Sequence, residues 1–182
     1  MSLKVALMRS VVIDKQRVKM ADARALVERV GGRDVQSVIA TGNLLFHSDK
    51  SNEALEAQLE AECAAFYGQP THMVVRTARE WQILMEANPF VEEAADLPSR
   101  LLVWIMREPL PDAGLEQLRQ RAVQGEKIER TANGDFYVWF GQTPIDQSKV
   151  PAGFGLKALG AIGTNRNWNT VARIADIFQT MR

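Results

Sequence analysis

A single cysteine, two histidines and the absence of any long apolar run close several common protein classes to this chain of 182 residues. With Cys63 alone, no intrachain disulfide can form, and its place among Leu55, Leu59 and Phe66 in an alanine-rich helical pattern reads as a small buried hydrophobe rather than a nucleophile. No stretch approaches the 18 or so apolar residues that a membrane-spanning helix needs. The N-terminus runs directly into a short apolar segment, 3–8, with no small-residue cleavage site after it, so a cytoplasmic protein is expected. His47 and His72 lie far apart with no partner at ligand spacing, and no metal site is expected. Nucleophile-elbow, Walker and dinucleotide-binding patterns are missing, and Gly153-Phe154-Gly155-Leu156-Lys157 is too short for a phosphate loop. No cofactor is implied, and no catalytic residue can be assigned.

Excess charge of one sign is lacking too: 22 basic residues balance 22 acidic ones. The balance is uneven along the chain. Residues 1–33 hold eight Lys and Arg against three Asp and Glu; residues 147–182 hold five against one. The middle, 34–146, holds nine against eighteen. Two basic ends make a phosphate-bearing partner a candidate.

What is present is enough apolar residue, 46%, for a packed core. Segment 3–8 reads as a strand. A helix over 20–30 places Met20, Ala23, Leu26, Val27 and Val30 on one face and ends at Gly31-Gly32. Segments 35–40 and 43–47 read as strands around Thr41-Gly42. A helix over 52–67 follows, with Ser51 as its cap, then a strand over 71–76 and a helix over 78–87. The order recurs. A strand over 101–107 and a helix over 113–123 precede a hairpin, 127–131 with 136–140, around Asn133-Gly134. A short helix over 155–160, a short strand over 161–164 and a helix over 168–180 complete the chain. The expected fold is α+β, two tandem ferredoxin-like (βαββαβ) repeats each followed by a helix. The first repeat spans 1–87 with its trailing helix, 88–99 is a connector with a solvated acidic run (Glu92, Glu93, Asp96), and the second repeat spans 100–182.

Two local matches support duplication. Leu3-Lys4-Val5-Ala6-Leu7-Met8-Arg9 agrees with Leu101-Leu102-Val103-Trp104-Ile105-Met106-Arg107 at four positions. Thr77-Ala78-Arg79-Glu80-Trp81 and Thr164-Asn165-Arg166-Asn167-Trp168 share Thr-x-Arg-x-Trp. In the first, Thr77 and Glu80 form a Thr-x-x-Glu capping box, so Thr164 is expected to cap the last helix. Trp168 then pairs with Trp81 as a packing residue, and Arg166 with Arg79. Asn167, Asn169 and Thr170 are what the second copy has and the first lacks.

Several segments carry a family likeness: Val5-Ala6-Leu7-Met8-Arg9, Val18-Lys19-Met20-Ala21-Asp22, Thr41-Gly42-Asn43-Leu44-Leu45-Phe46, Asn88-Pro89-Phe90, Ser148-Lys149 and Arg166-Asn167-Trp168-Asn169-Thr170-Val171. In that order they resemble the family catalogued as domain of unknown function 1697, over nearly the whole chain. The resemblance implies two ferredoxin-like repeats and no established activity. It also implies a glycine-bearing Arg-Gly-Ile-Asn-Val-Gly-Gly loop, where this chain has Arg9-Ser10-Val11-Val12-Ile13-Asp14-Lys15. Without glycine the loop is expected to be less free to approach a phosphate or to take positive φ.

The candidate ligand-binding residues are Arg9, Lys19, Asn43 and Lys149, all at junctions between loops and elements, with Arg166, Asn167, Asn169 and Thr170. Together they read as a basic, amide-rich cleft between the repeats for a nucleotide or nucleic acid. Each also has a plain reading as a surface charge or a local cap. Two alternatives remain open: an enzyme acting on a small anionic metabolite, and a structural or assembly module in which the polar motif only caps a helix.

Overall fold

The computed structural model describes residues 1–150 and 160–181. The fold is mixed α+β, with two four-stranded antiparallel sheets and a small two-stranded one. The expected helix over 155–160 and the Gly153-Lys157 segment lie wholly or largely outside the described residues. Among the described residues, no helix is long and apolar enough to cross a membrane.

The chain divides into two compact units: Met1–Gln82 with Arg173–Arg182, and Ile83–Ala172. The first contains β1 (Ser2–Met8), β2 (Val12–Ile13), β3 (Gln16–Arg17), α1 (Met20–Arg29), β4 (Arg33–Val38), β5 (Asn43–Ser48), α2 (Asn52–Tyr67), β6 (Met73–Thr77) and the start of α3 (Ala78–Glu86). Its sheet has the order β4-β5-β1-β6. One face alternates Ala6, Met8, Leu44, Phe46, Met73 and Val75, and these pack with Ala23, Leu26 and Val27 of α1 and Leu55, Leu59 and Cys63 of α2. Burial raises the Cys63 thiol pKa to about 11, which removes it as a nucleophile at neutral pH. Phe66, expected in the same apolar set, is exposed. Ser51 accepts the Ala54 N–H and caps α2, as the sequence predicts.

The second unit contains the end of α3, α4 (Val91–Asp96), β7 (Leu101–Met106), α5 (Asp112–Arg119), β8 (Lys127–Arg130), β9 (Phe136–Trp139), β10 (Gly163–Asn167) and the start of α6 (Trp168–Thr180). Its sheet order is β10-β7-β9-β8. In chain order each sheet therefore runs second, third, first, fourth strand from one edge to the other. Leu102, Trp104, Met106, Phe136 and Val138 face Leu115 and Leu118 of α5, with the rings of Trp104 and Phe136 stacked at 5.5 Å. Within the segment read as a connector, Val91–Asp96 is a helix, and Glu93 is ion-paired with Lys127 at 2.8 Å.

Two turns show how glycine is used and where it is missing. Asn133-Gly134 joins β8 to β9, as the sequence predicts, in a loop where the Gly134 N–H donates to the Thr131 carbonyl and Gly134 takes φ +90°. That is the type I turn with a left-handed glycine rather than the two-residue kind. The two-residue turn is found instead between β2 and β3. Ile13 pairs with Gln16, and Asp14 and Lys15 take φ of +46° and +64°. The loop lacking glycine thus adopts the left-handed backbone that its composition disfavours. Its neighbour Gly42 has no substitute: φ is +75°, and a Cβ there would lie 2.7 Å from the Met8 Cβ.

Candidate functional site

Segment 9–19 is an arm built on the end of β1. The Arg9 N–H donates to the His72 carbonyl, and the Val18 N–H donates to the Val11 carbonyl, closing the β2–β3 ribbon. Ile13 and Val18 turn inward and are buried, 4% and 3% exposed. The outward side carries Val12 opposite Arg17, and the Arg17 guanidinium reaches the Ala40 carbonyl at 3.4 Å. The segment holds Arg9, Lys15, Arg17 and Lys19 against one acid, Asp14. Lys15, Arg17 and Lys19 are exposed and Arg9 is half-buried. Among the described residues, none of these four basic groups pairs with a carboxylate. Sequence reasoning finds Arg9 and Lys19 but misses Lys15 and Arg17. The alternation Lys15, Arg17, Lys19 in an extended segment is the pattern that marks them.

The arm runs into α1 with Lys19 as the N-cap residue, extended at φ −77°, ψ 135°, and without a side-chain hydrogen bond to the helix. A lysine cannot accept from the first N–H groups, and its charge sits at the positive end of the helix dipole. Asp22 alone supplies an acid in the first turn. The Lys19 position therefore serves the helix poorly and presents a cation beside open backbone donors.

Asn43, also in the first unit, is fully buried. Its amide donates to the Val38 carbonyl and the Thr41 hydroxyl, both at 2.9 Å, and so braces the turn at Gly42.

In the second unit, Lys149 is exposed and Arg166 is 9% exposed on β10. Register fixes the role of the surrounding motif. Val5 pairs with Arg76 and Lys4 with Thr77; Val103 pairs with Arg166 and Leu102 with Asn167. Arg166 therefore corresponds to Arg76, and Asn167 to Thr77. The Nη1 of Arg76 donates to the Val75 carbonyl at 3.0 Å, and that of Arg166 to the Asn165 carbonyl at 2.7 Å. Thr77 Oγ1 accepts the Glu80 N–H, while Asn167 Oδ1 accepts the Thr170 N–H at 3.0 Å. The Thr-x-Arg-x-Trp match is thus displaced by three residues from the structural register. Thr164 does not cap α6; it lies within β10, and its hydroxyl accepts from Arg166. Asn167 is the acceptor at the helix start, with Thr170 also donating its hydroxyl to it. Trp81 corresponds to Val171, both fully buried, and Trp168 is a half-exposed first residue of α6. Asn169 is exposed, as Arg79 is.

Arg166 shares a sheet face with Val103 and Tyr137, away from α5. Burial there lowers its pKa to about 10, still charged at neutral pH. Tyr137 has its hydroxyl pKa raised by burial, and it donates to the Leu84 carbonyl at the end of α3. Among the described residues, no cluster of three or more His, Cys, Asp or Glu could hold a metal ion.

Residues 1–137 match a family described as protein of unknown function (DUF1697), a span that includes the arm and stops before the 164–170 motif. The fold is similar to that of a conserved bacterial protein of Streptococcus pneumoniae, with a TM-score of 0.76 and 20% identity over 97% of this chain and 98% of the other. A comparison with curated proteins finds no match.

Proposed function

The chain belongs to the DUF1697 family of proteins of unknown function, and from that premise we propose that it binds a phosphate-bearing ligand, a nucleotide or nucleic acid, through the basic arm of its first unit. One observation carries the reading: four basic residues within segment 9–19 meet one acid, three of them exposed, on a ribbon that ends at an uncapped helix start. Exposed cations that form no ion pair among the described residues attract phosphate at low desolvation cost, and the first N–H groups of α1 add donors of the right polarity. Lys149 and Asn169 keep exposed polar groups in the second unit. Asn43, Asn167 and Thr170 spend theirs on internal hydrogen bonds, which favours the structural reading for those three.

The common strand order of the two sheets and the shared geometry of Arg76 and Arg166 support treating the chain as ferredoxin-like repeats over 1–87 and 100–182, joined by 88–99. Low-salt mobility shifts with mixed-sequence nucleic acid and a thermal-shift panel of nucleotides test the binding. The expected result is a shift in at least one, weakened by Arg17→Ala. Silence in both removes the proposal.

A further inference from the structure

We infer that the arm grips the phosphate backbone of double-stranded nucleic acid without reading its sequence, an inference that rests on the phosphate reading above. Arg17 and Lys19 lie on the same side of an extended segment, with buried Val18 between them. Two residues of extended chain separate their stems by about 6.7 Å. That is close to the spacing of successive phosphates along one strand, so two neighbouring phosphates can each meet a cation. Lys15 at the turn and half-buried Arg9 at the root add positive charge at either end of the arm.

What the arm lacks decides among phosphate ligands. Segments 9–19 and 39–43 contain no Phe, Tyr or Trp. Single-strand binders gain much of their affinity by stacking bases on aromatic rings, and neither segment carries such a ring. His72 receives the Arg9 N–H on its carbonyl, but its ring is engaged by Glu60 at 3.3 Å. The amide of Asn43, a group that could read an adenine edge, is buried in its own turn. The outward apolar residues, Val12 and Ile39, are aliphatic and about half exposed, 53% and 52%. They can rest against sugar edges but discriminate no base. A free nucleotide would leave its base unheld. A duplex presents its phosphates in regular rows and keeps its bases stacked away, which suits a contact surface of cations and backbone donors.

The test is fluorescence anisotropy with a 20-base-pair duplex, a scrambled duplex and the matching single strand, each titrated across a salt series. Wild type is compared with Arg17→Ala/Lys19→Ala and with the charge-preserving Arg17→Lys/Lys19→Arg. Both side chains are exposed, and equal melting curves check that the variants fold. The duplex is expected to bind at least about tenfold more tightly than the single strand, and scrambling to change affinity less than twofold. Each phosphate neutralised by a cation contributes about 0.9 to the log–log salt slope, so the alanine pair should flatten it by about 1.8 and the charge-preserving pair should keep it. Equal or tighter single-strand binding, or a tenfold effect of scrambling, overturns the duplex inference and leaves the phosphate reading intact. So does a nucleotide thermal shift without duplex binding. An unchanged slope in the alanine pair removes the arm from both, and no response to any polymer or nucleotide removes both together.

Discussion

Backbone strain at Asp14 and Lys15 is the clearest single-residue consequence of this sequence. A left-handed residue other than glycine costs roughly 1 kcal/mol, and two adjacent ones form the turn that Asn-Gly or Gly-Gly would make freely. Lys15 keeps its charge at that expense. Lys15→Gly is expected to stabilise the protein by about 1 kcal/mol, raising the melting temperature by about 2–4 °C. It should weaken phosphate binding at the same time; a lowered melting temperature would refute the strain argument. Asn167 is the other residue with a defined job. Its side-chain oxygen takes the Thr170 N–H and hydroxyl at the start of α6. Asn167→Ala should cost about 1 kcal/mol in denaturant unfolding and Asn167→Ser should recover most of it. Identical midpoints for wild type and the alanine variant would return the capping role to another residue.

Elements with strong apolar periodicity are legible from the chain: β1, β7, α1, α2 and the β8–β9 hairpin all fall within a few residues of expectation. Those that escape lack the pattern for physical reasons. The run Gly163-Thr164-Asn165-Arg166-Asn167 alternates no apolar residue, so the strand is expected to end at 164 and the rest reads as a helix cap, yet the strand continues to Asn167 because β7 beside it supplies the apolar partner. The β2–β3 ribbon is hidden because Asp14-Lys15 carries no glycine, and with it go half of the arm's charges. The helix starts of the first unit differ in how well they are capped. The α3 start is well served: Glu80 accepts the Thr77 N–H and hydroxyl and the amide of Asn52, whose side-chain oxygen in turn accepts from buried Lys4 at 2.8 Å. Burial alone would raise the Glu80 pKa, but those hydrogen bonds together hold it below the usual carboxylate value. A depressed folded-state pKa adds stability above the unfolded value of about 4.3, and that stability is lost as pH falls through the folded value. Glu80→Gln should therefore lower stability at neutral pH and flatten its decline in acid; a parallel decline would count against the network. The α1 start is the opposite case. Lys19→Ser should gain about 1 kcal/mol as a cap while weakening phosphate binding, and a variant that gains stability with binding unchanged would separate Lys19 from the site.

Over the whole chain, the compact units are not simply its first and second halves. The first is assembled from Met1–Gln82 and Arg173–Arg182, so its last piece is made only after the entire second unit has been synthesised. Both trailing helices cross a unit boundary: α3 starts in the first unit and ends in the second, and α6 does the reverse. Within the first unit the returning segment is anchored by Phe178, 4% exposed, whose ring meets fully buried Trp81 edge-on at 6.4 Å between centroids. Such a pair adds about 1 kcal/mol beyond the area it buries. Removing the ring in Phe178→Ala opens a void against Trp81 and should cost about 3–5 kcal/mol. If the returning segment stabilises the first unit specifically, native-state hydrogen exchange will locate the loss. Amides of β6, which runs directly into α3, and of its sheet partner β1 should lose more protection than those of β7 and β9, and Trp81 fluorescence should respond before global unfolding. Equal loss in both sheets would mean that the two units open as one cooperative body, and the division of the chain into separately stabilised units would have to be given up.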